Sequence, residues 1–147
     1  MMYIKVLVIN LFIFCGSYAY AEMSFVHTKL ADKLYKPWGI AVIDNDHLLI
    51  TQKSGELFKV NIRSKTKTEI LHNLIVEEYG QGGLLDILYY DEKVYVSYAE
   101  KRDDEQYSTS VAIGELKENS INFKNIFQSE PPIKSKIHFG SRLEVKN

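Results

Sequence analysis

The sequence predicts an all-β protein built from a repeated four-stranded unit. Three observations carry this: short apolar runs broken by turn residues, a self-similarity at one fixed offset, and no helical periodicity past Glu22. Ten Tyr and seven Phe add to the strand-forming bias.

The first unit opens with a strand over residues 39–43, ended by the turn residues Asp44, Asn45 and Asp46. A second strand follows over 48–52 and turns at Ser54-Gly55. A third spans 57–62 and stops at the polar run 64–67; a short fourth spans 68–71. The series then restarts. Residues 84–90 form a strand, Asp91-Glu92 a two-residue turn, and 93–99 a strand with Val94, Val96 and Tyr98 on one face. A charged loop covers 101–106, a strand 109–116, a turn Glu118-Asn119-Ser120, and a last strand 121–128. A third series opens at 141–145.

The two units overlay without a gap when shifted by 46 residues: Gly39 falls on Leu85, Asn45 on Asp91, Leu48 on Val94 and Thr51 on Ser97. Four strands recurring at this period are the signature of β-propeller blades; the alternative is two independent four-stranded sheets. Propellers close with about four to eight blades. Two blades and one strand are therefore expected to be a piece of a longer ring.

Composition narrows the function. With 46% hydrophobic and 25% charged residues the chain is globular, and 18 basic against 19 acidic residues lack the surplus of a nucleic-acid binder. Residues 1–5 are basic, 6–15 are apolar apart from Asn10, and Ala19-Tyr20-Ala21 has a small-x-small pattern. This predicts a cleavable signal peptide over 1–21, a mature domain over 22–147 and a periplasmic or secreted product. The apolar run is well short of the roughly 20 residues that cross a bilayer, so no membrane anchor is expected. An uncleaved anchor or a buried strand is the alternative. Cys15 follows the bulky Phe14, which argues against lipid attachment. It is also the only cysteine, so the mature chain would hold no disulfide and no reactive thiol.

Three segments lead into the first strand of a unit: Lys36-Pro37-Trp38, Gly80-Gln81-Gly82-Gly83 and Ile137-His138-Phe139-Gly140. Repeat geometry puts Trp38, Gln81 and His138 around one mouth, where loops converge on a rigid scaffold. Gly80, Gly82 and Gly83 are expected to serve the turn, Trp38 to pack, and Arg142 to form a strand-edge ion pair. His27, His47 and His72 have no metal-ligand spacing and are expected on the surface; Asp103 and Asp104 are expected to be solvated.

Four runs at blade spacing carry a resemblance: Pro37-Trp38-Gly39-Ile40-Ala41, Gly80-Gln81-Gly82-Gly83-Leu84-Leu85-Asp86, Val96-Ser97-Tyr98-Ala99-Glu100, and His138-Phe139-Gly140-Ser141-Arg142-Leu143. Together they resemble the N-terminal portion of the quinoprotein (PQQ-dependent) glucose/sorbosone dehydrogenase family, of the soluble aldose sugar dehydrogenase type. The resemblance covers residues 34–145. It implies a six-bladed β-propeller, here two blades plus the first strand of a third. It also implies a periplasmic oxidoreductase that oxidises the anomeric hydroxyl of an aldose to a lactone, with hydride transfer to pyrroloquinoline quinone. His138 matches the family's general base, a task that suits an imidazole because it changes charge near neutral pH. Gln81 matches a side chain of the sugar and cofactor pocket, where an amide can both donate and accept. The family's calcium ligands and cofactor-binding basic residues lie in later blades, so no metal ligand is assigned here. A homodimer of the full-length protein is compatible with the resemblance, and the electron acceptor is unspecified.

Two departures stand out. Tyr89-Tyr90-Asp91-Glu92 replaces the family's usual His-Pro-Asp-Phe with a shorter turn, and Ile137 precedes the histidine where some relatives have an acidic residue. Rival readings are a propeller lactonase, whose metal-binding glutamate is missing from Leu34-Tyr35-Lys36-Pro37, and a non-catalytic extracellular binding module.

Overall fold

A computed structural model describes residues 24–146. The expected signal peptide over 1–21, with Cys15, lies outside the described residues. The first unit is a meander of β1 (Pro37–Val42), β2 (His47–Gln52), β3 (Leu57–Asn61) and β4 (Lys67–His72), paired antiparallel in chain order. The second uses β5 (Leu84–Tyr90), β6 (Lys93–Lys101), β7 (Tyr107–Gly114) and β10 (Lys124–Gln128) in the same way. Between β5 and β6, Asp91 and Glu92 both adopt positive φ, 49° and 57°. That is the primed turn whose twist suits a two-residue hairpin.

The two sheets pack face to face. Leu49, Leu57 and Ile70 of the first join Leu84, Val94 and Val96 of the second in one buried cluster, and β5 lies against both β1 and β2. Period-two alternation accounts for this: one face of each strand enters the cluster while the other turns away.

The structure corrects four details. The gapless overlay holds for β2 and β6 but fails on either side. Ile40 pairs with Ile50 and Ile87 with Val96, so β1 and β5 are offset by one more residue, and Gly39 corresponds to Asp86 rather than Leu85. The tighter turn at Asp91-Glu92 is the cause. Beyond β6 the offset grows again, because β6 runs on to Lys101 and a 3-10 turn at Asp103–Glu105 is inserted.

The strands expected at 109–116 and 121–128 are interrupted. β7 stops at Gly114, and a small hairpin follows, made of β8 (Leu116–Lys117) and β9 (Ser120–Ile121). β9 pairs in parallel with β4, Leu71 opposite Ser120 and His72 opposite Ile121. The outer edge of the first unit is thereby covered, which edge strands require if they are not to template foreign pairing. Asn73 continues the ladder with its side chain, donating from Nδ2 to the Phe123 carbonyl (3.0 Å) and accepting the Phe123 N–H at Oδ1 (2.7 Å).

His72 is half-buried rather than on the surface. Its Nε2 lies 2.7 Å from the Gly55 carbonyl, its Nδ1 accepts the Leu74 N–H, and its ring meets Phe123 edge-on. These contacts fix a tautomer with the proton on Nε2.

Residues 141–145 form no strand, yet they occupy the place of a third inner strand. In the first seam, Thr51 Oγ1 accepts the Gly39 N–H (2.8 Å) and donates to the Leu85 carbonyl of the next unit (2.6 Å). In the second, Ser97 Oγ accepts the Asp86 N–H (3.1 Å) and donates to the Ser141 carbonyl (2.6 Å). Ser141 is thus the counterpart of Leu85. Its segment lacks a ladder among the described residues and is held by side chains instead.

Candidate functional site

The three segments expected at one mouth do meet. Gly83 makes the approach possible: its φ is +147°, and a Cβ there would strike the Lys53 carbonyl oxygen. The Gly83 carbonyl accepts from Ala99, and Leu84 N–H donates to the Lys53 carbonyl at 3.1 Å, so the glycine-rich turn is laced to β6 on one side and to the β2–β3 turn on the other. From this turn Gln81 reaches the third segment twice. Its backbone N–H donates to the Lys136 carbonyl (2.7 Å), and its Oε1 accepts the His138 N–H (3.0 Å).

Gln81 and His138 are therefore adjacent and both exposed. The amide oxygen of Gln81 is committed to the backbone of His138, which leaves Nε2 as its group available to a ligand. His138 has φ +70°, a left-handed conformation that costs a non-glycine residue about 1–2 kcal/mol. The same conformation occurs at turns elsewhere in the molecule, among them Lys65, Asp91 and Glu92, so at His138 it marks a sharp bend of the segment as it enters the mouth.

Trp38 completes the mouth through a residue the sequence reading missed. Lys53 donates from Nζ to the Gly80 carbonyl (2.8 Å) and lies 5.5 Å from the Trp38 ring centroid. Trp38 is 50% exposed, so it is a rim residue and not the packing residue expected. Lys36 and Lys136 stand over Tyr35 and Tyr79 in the same manner, at 4.7 and 4.9 Å. Hydrogen bonding to the Glu78 carboxylate (2.5 Å) raises the Lys36 ammonium above its ordinary value. These lysine–aromatic pairs lie along the segments that carry Gln81 and His138, with Lys36 ion-paired to Glu78. The signal for Lys53 was its place just past β2, at the end of the strand that pairs with β1; nothing in its residue type marked it.

Arg142 is paired as expected, its Nη1 3.6 Å from Asp86 Oδ1. His47 bridges Asp44 and Asn61, and His27 is exposed. Among the described residues no three His, Cys, Asp or Glu side chains converge as a metal would need.

Two blades whose inner-strand leads converge on one rim define a partial β-propeller with a candidate ligand mouth. The sequence model for Glucose / Sorbosone dehydrogenase matches residues 34–147. Aldose sugar dehydrogenase YliI of Escherichia coli (strain K12) is 32% identical over 123 residues, covering 78% of this chain and 33% of that protein. The apo crystal structure of the soluble aldose sugar dehydrogenase from Escherichia coli superposes with a TM-score of 0.73 at 32% identity, covering 79% of this chain and 36% of that one. The PQQ-bound aldose sugar dehydrogenase from Streptomyces coelicolor gives 0.69 at 25% identity, covering 80% and 37%. This chain belongs to the glucose/sorbosone dehydrogenase family. It spans about a third of the length of the curated relative it matches.

Proposed function

We propose that this chain forms the proton-accepting side of the active site of a PQQ-dependent aldose dehydrogenase. The observation that carries the reading is the Gln81 Oε1 to His138 N–H bond, which brings the two exposed residues together on the rim that also carries Trp38 and Lys53. His138 takes the proton from the anomeric hydroxyl as the C1 hydrogen departs with its electron pair, and a lactone results. Gln81 Nε2 donates to a sugar or cofactor oxygen. The donors present fit one edge of pyrroloquinoline quinone, since amide and imidazole groups both hydrogen-bond a quinone oxygen. The bound quinone supplies the two-electron acceptor. Calcium is a different matter. The described residues do not fit a metal site, and no step here runs through one.

The leader-like residues 1–21 support a periplasmic or secreted location, tested by whether the exported chain has the mass of one beginning at Glu22. The catalytic reading is tested by stopped-flow reduction of the quinone by an aldose, in a closed propeller carrying residues 24–146 of this sequence. His138→Ala is expected to slow reduction by about 10²- to 10⁴-fold, the usual worth of a positioned base. It should retain quinone binding. Reduction at the wild-type rate would place the base elsewhere.

A further inference from the structure

We propose that Asp86 is the positioning residue for His138, holding the far end of the 136–143 segment whose near end Gln81 binds. The inference rests on the reading of His138 as the base, and it adds what keeps that base in place.

The segment is pinned at two ends. At its start, Gln81 binds the Lys136 carbonyl and the His138 N–H. At its end, Ser97 binds the Ser141 carbonyl, and Asp86 Oδ2 accepts the Leu143 N–H at 2.8 Å. His138, at φ +70°, is itself bound in the first pin, and the second pin follows it within five residues. Among the described residues, 138–143 pair with no strand, and these side-chain bonds are what hold the segment to the second unit.

Asp86 is 6% exposed. A carboxylate removed from water is costly unless its oxygens are used, and here both are: one by the Leu143 N–H, the other by the exposed Arg142 guanidinium. A bond from an amide to a charged acceptor is stronger than its neutral counterpart.

The first seam shows that the carboxylate is no requirement of the fold. Its counterpart there is Gly39, and Ile87, the counterpart of Leu143, brings its backbone nitrogen to 3.0 Å from where a Gly39 Cβ would stand. The hydroxyl-to-carbonyl bond is 2.6 Å in both seams. The seams part company two residues later, where the Asp86 side chain reaches from the β5 backbone to the Leu143 N–H. The carboxylate therefore sets how closely the segment approaches β5, and with it the anchor against which His138 is strained.

The test combines amide hydrogen exchange on the full 147-residue chain with quinone reduction in the closed propeller. In Asp86→Ala, exchange at both Leu143 and His138 is expected to accelerate about tenfold or more, while amides of β2 and β3 keep their protection. The conservative Asp86→Asn retains an acceptor for Leu143 and should restore most of that protection. It also serves if Asp86→Ala does not fold, because a full exchange profile without the charge then shows whether the acceptor alone suffices. Misplacement of a reacting group by about 1 Å can cost up to about 10²-fold in rate. Asp86→Ala is accordingly expected to lower the reduction rate by about 10- to 100-fold while sugar affinity changes by less than about threefold, with Asp86→Asn intermediate. If Leu143 loses protection and His138 does not, Gln81 alone holds the histidine and the positioning role is overturned. If both lose protection but reduction is unaffected, and His138→Ala is equally silent, the positioning stands and the reading of His138 as the base fails.

Discussion

The two seams of this molecule use the same clasp for different ends. Between the first and second units, Thr51 joins two inner strands that approach backbone to backbone, and Gly39 leaves the space they need. Between the second unit and residues 141–145, Ser97 repeats the clasp, but Asp86 replaces the glycine and puts a carboxylate in the gap. The repeated hydroxyl belongs to the architecture. The unrepeated residue beside it is where the mouth acquires its own geometry, because the second seam holds the segment that carries His138.

The largest effect is expected at the glycine. A Cβ on Gly39 would lie 2.9 Å from the Leu85 carbonyl oxygen, 3.0 Å from Ile87 N and 3.0 Å from Thr51 Oγ1, and backbone atoms cannot step aside. Gly39→Ala should cost about 2–3 kcal/mol in urea unfolding, the upper range for an overpacked interior. At the second seam Gly140 has nothing within 4 Å of an added Cβ, so Gly140→Ala should stay within about 0.5 kcal/mol. Equal costs would erase the distinction between a close-packed seam and a tethered one.

The hydroxyls come next. Thr51→Val keeps the shape but orphans a buried N–H and a buried carbonyl, a loss of about 1–3 kcal/mol in global stability. Ser97→Ala orphans the matching pair, but at a segment that pairs with no strand among the described residues. Its main effect should be local opening, seen as faster amide exchange over residues 138–145 with a smaller change in global unfolding. A global loss as large as that of Thr51→Val would mean that the segment is integral to the core.

The smallest effect is a titration. Tyr98 is on the face of β6 turned towards the first unit, opposite to Ser97. Burial, then the nearby Glu100 carboxylate, push its phenol above the ordinary value of about 10. The folded state thus favours the neutral phenol. Its contribution is complete below the ordinary value and is lost as pH rises through the raised one. Glu100→Gln should lower the Tyr98 midpoint only in part, since burial remains, as followed by its ring resonances. Ser97→Ala should leave it unmoved, and a shift there would show that the two faces of β6 are not independent.

Much of the fold was legible because its information is local. Eight main strands could be read from apolar runs between turn residues, and Asp91-Glu92 was recognisable as a two-residue turn. The β8–β9 hairpin was not, since its strands have two residues each and its partner, β4, lies nearly fifty residues back. His72 was misread for the same reason: its contacts come from Gly55 and Phe123. At the mouth, place in the repeat sufficed to bring Trp38, Gln81 and His138 together. It could not show that Gln81 holds His138 by the backbone, or that Lys53 links Trp38 to Gly80. Those are facts about atoms across a seam. The pairing of Thr51 with Ser97 was visible in the repeat, although its use as a clasp was not.

The parallel pairing of β9 on β4 has a consequence for the order of events during synthesis. Every antiparallel pair of the first unit joins strands separated by one short turn, so these contacts can form as soon as β4 emerges. The outer edge of β4 cannot close then, because its partners, Ser120, Ile121 and Phe123, have not been made. Contacts of long sequence separation form late because a loop must be closed before they are gained. A nascent chain stalled between residues 72 and 120 therefore presents an open β4 edge and an Asn73 amide with no backbone to grip. The hairpin that completes the first unit arrives only with the second, and the two units mature together.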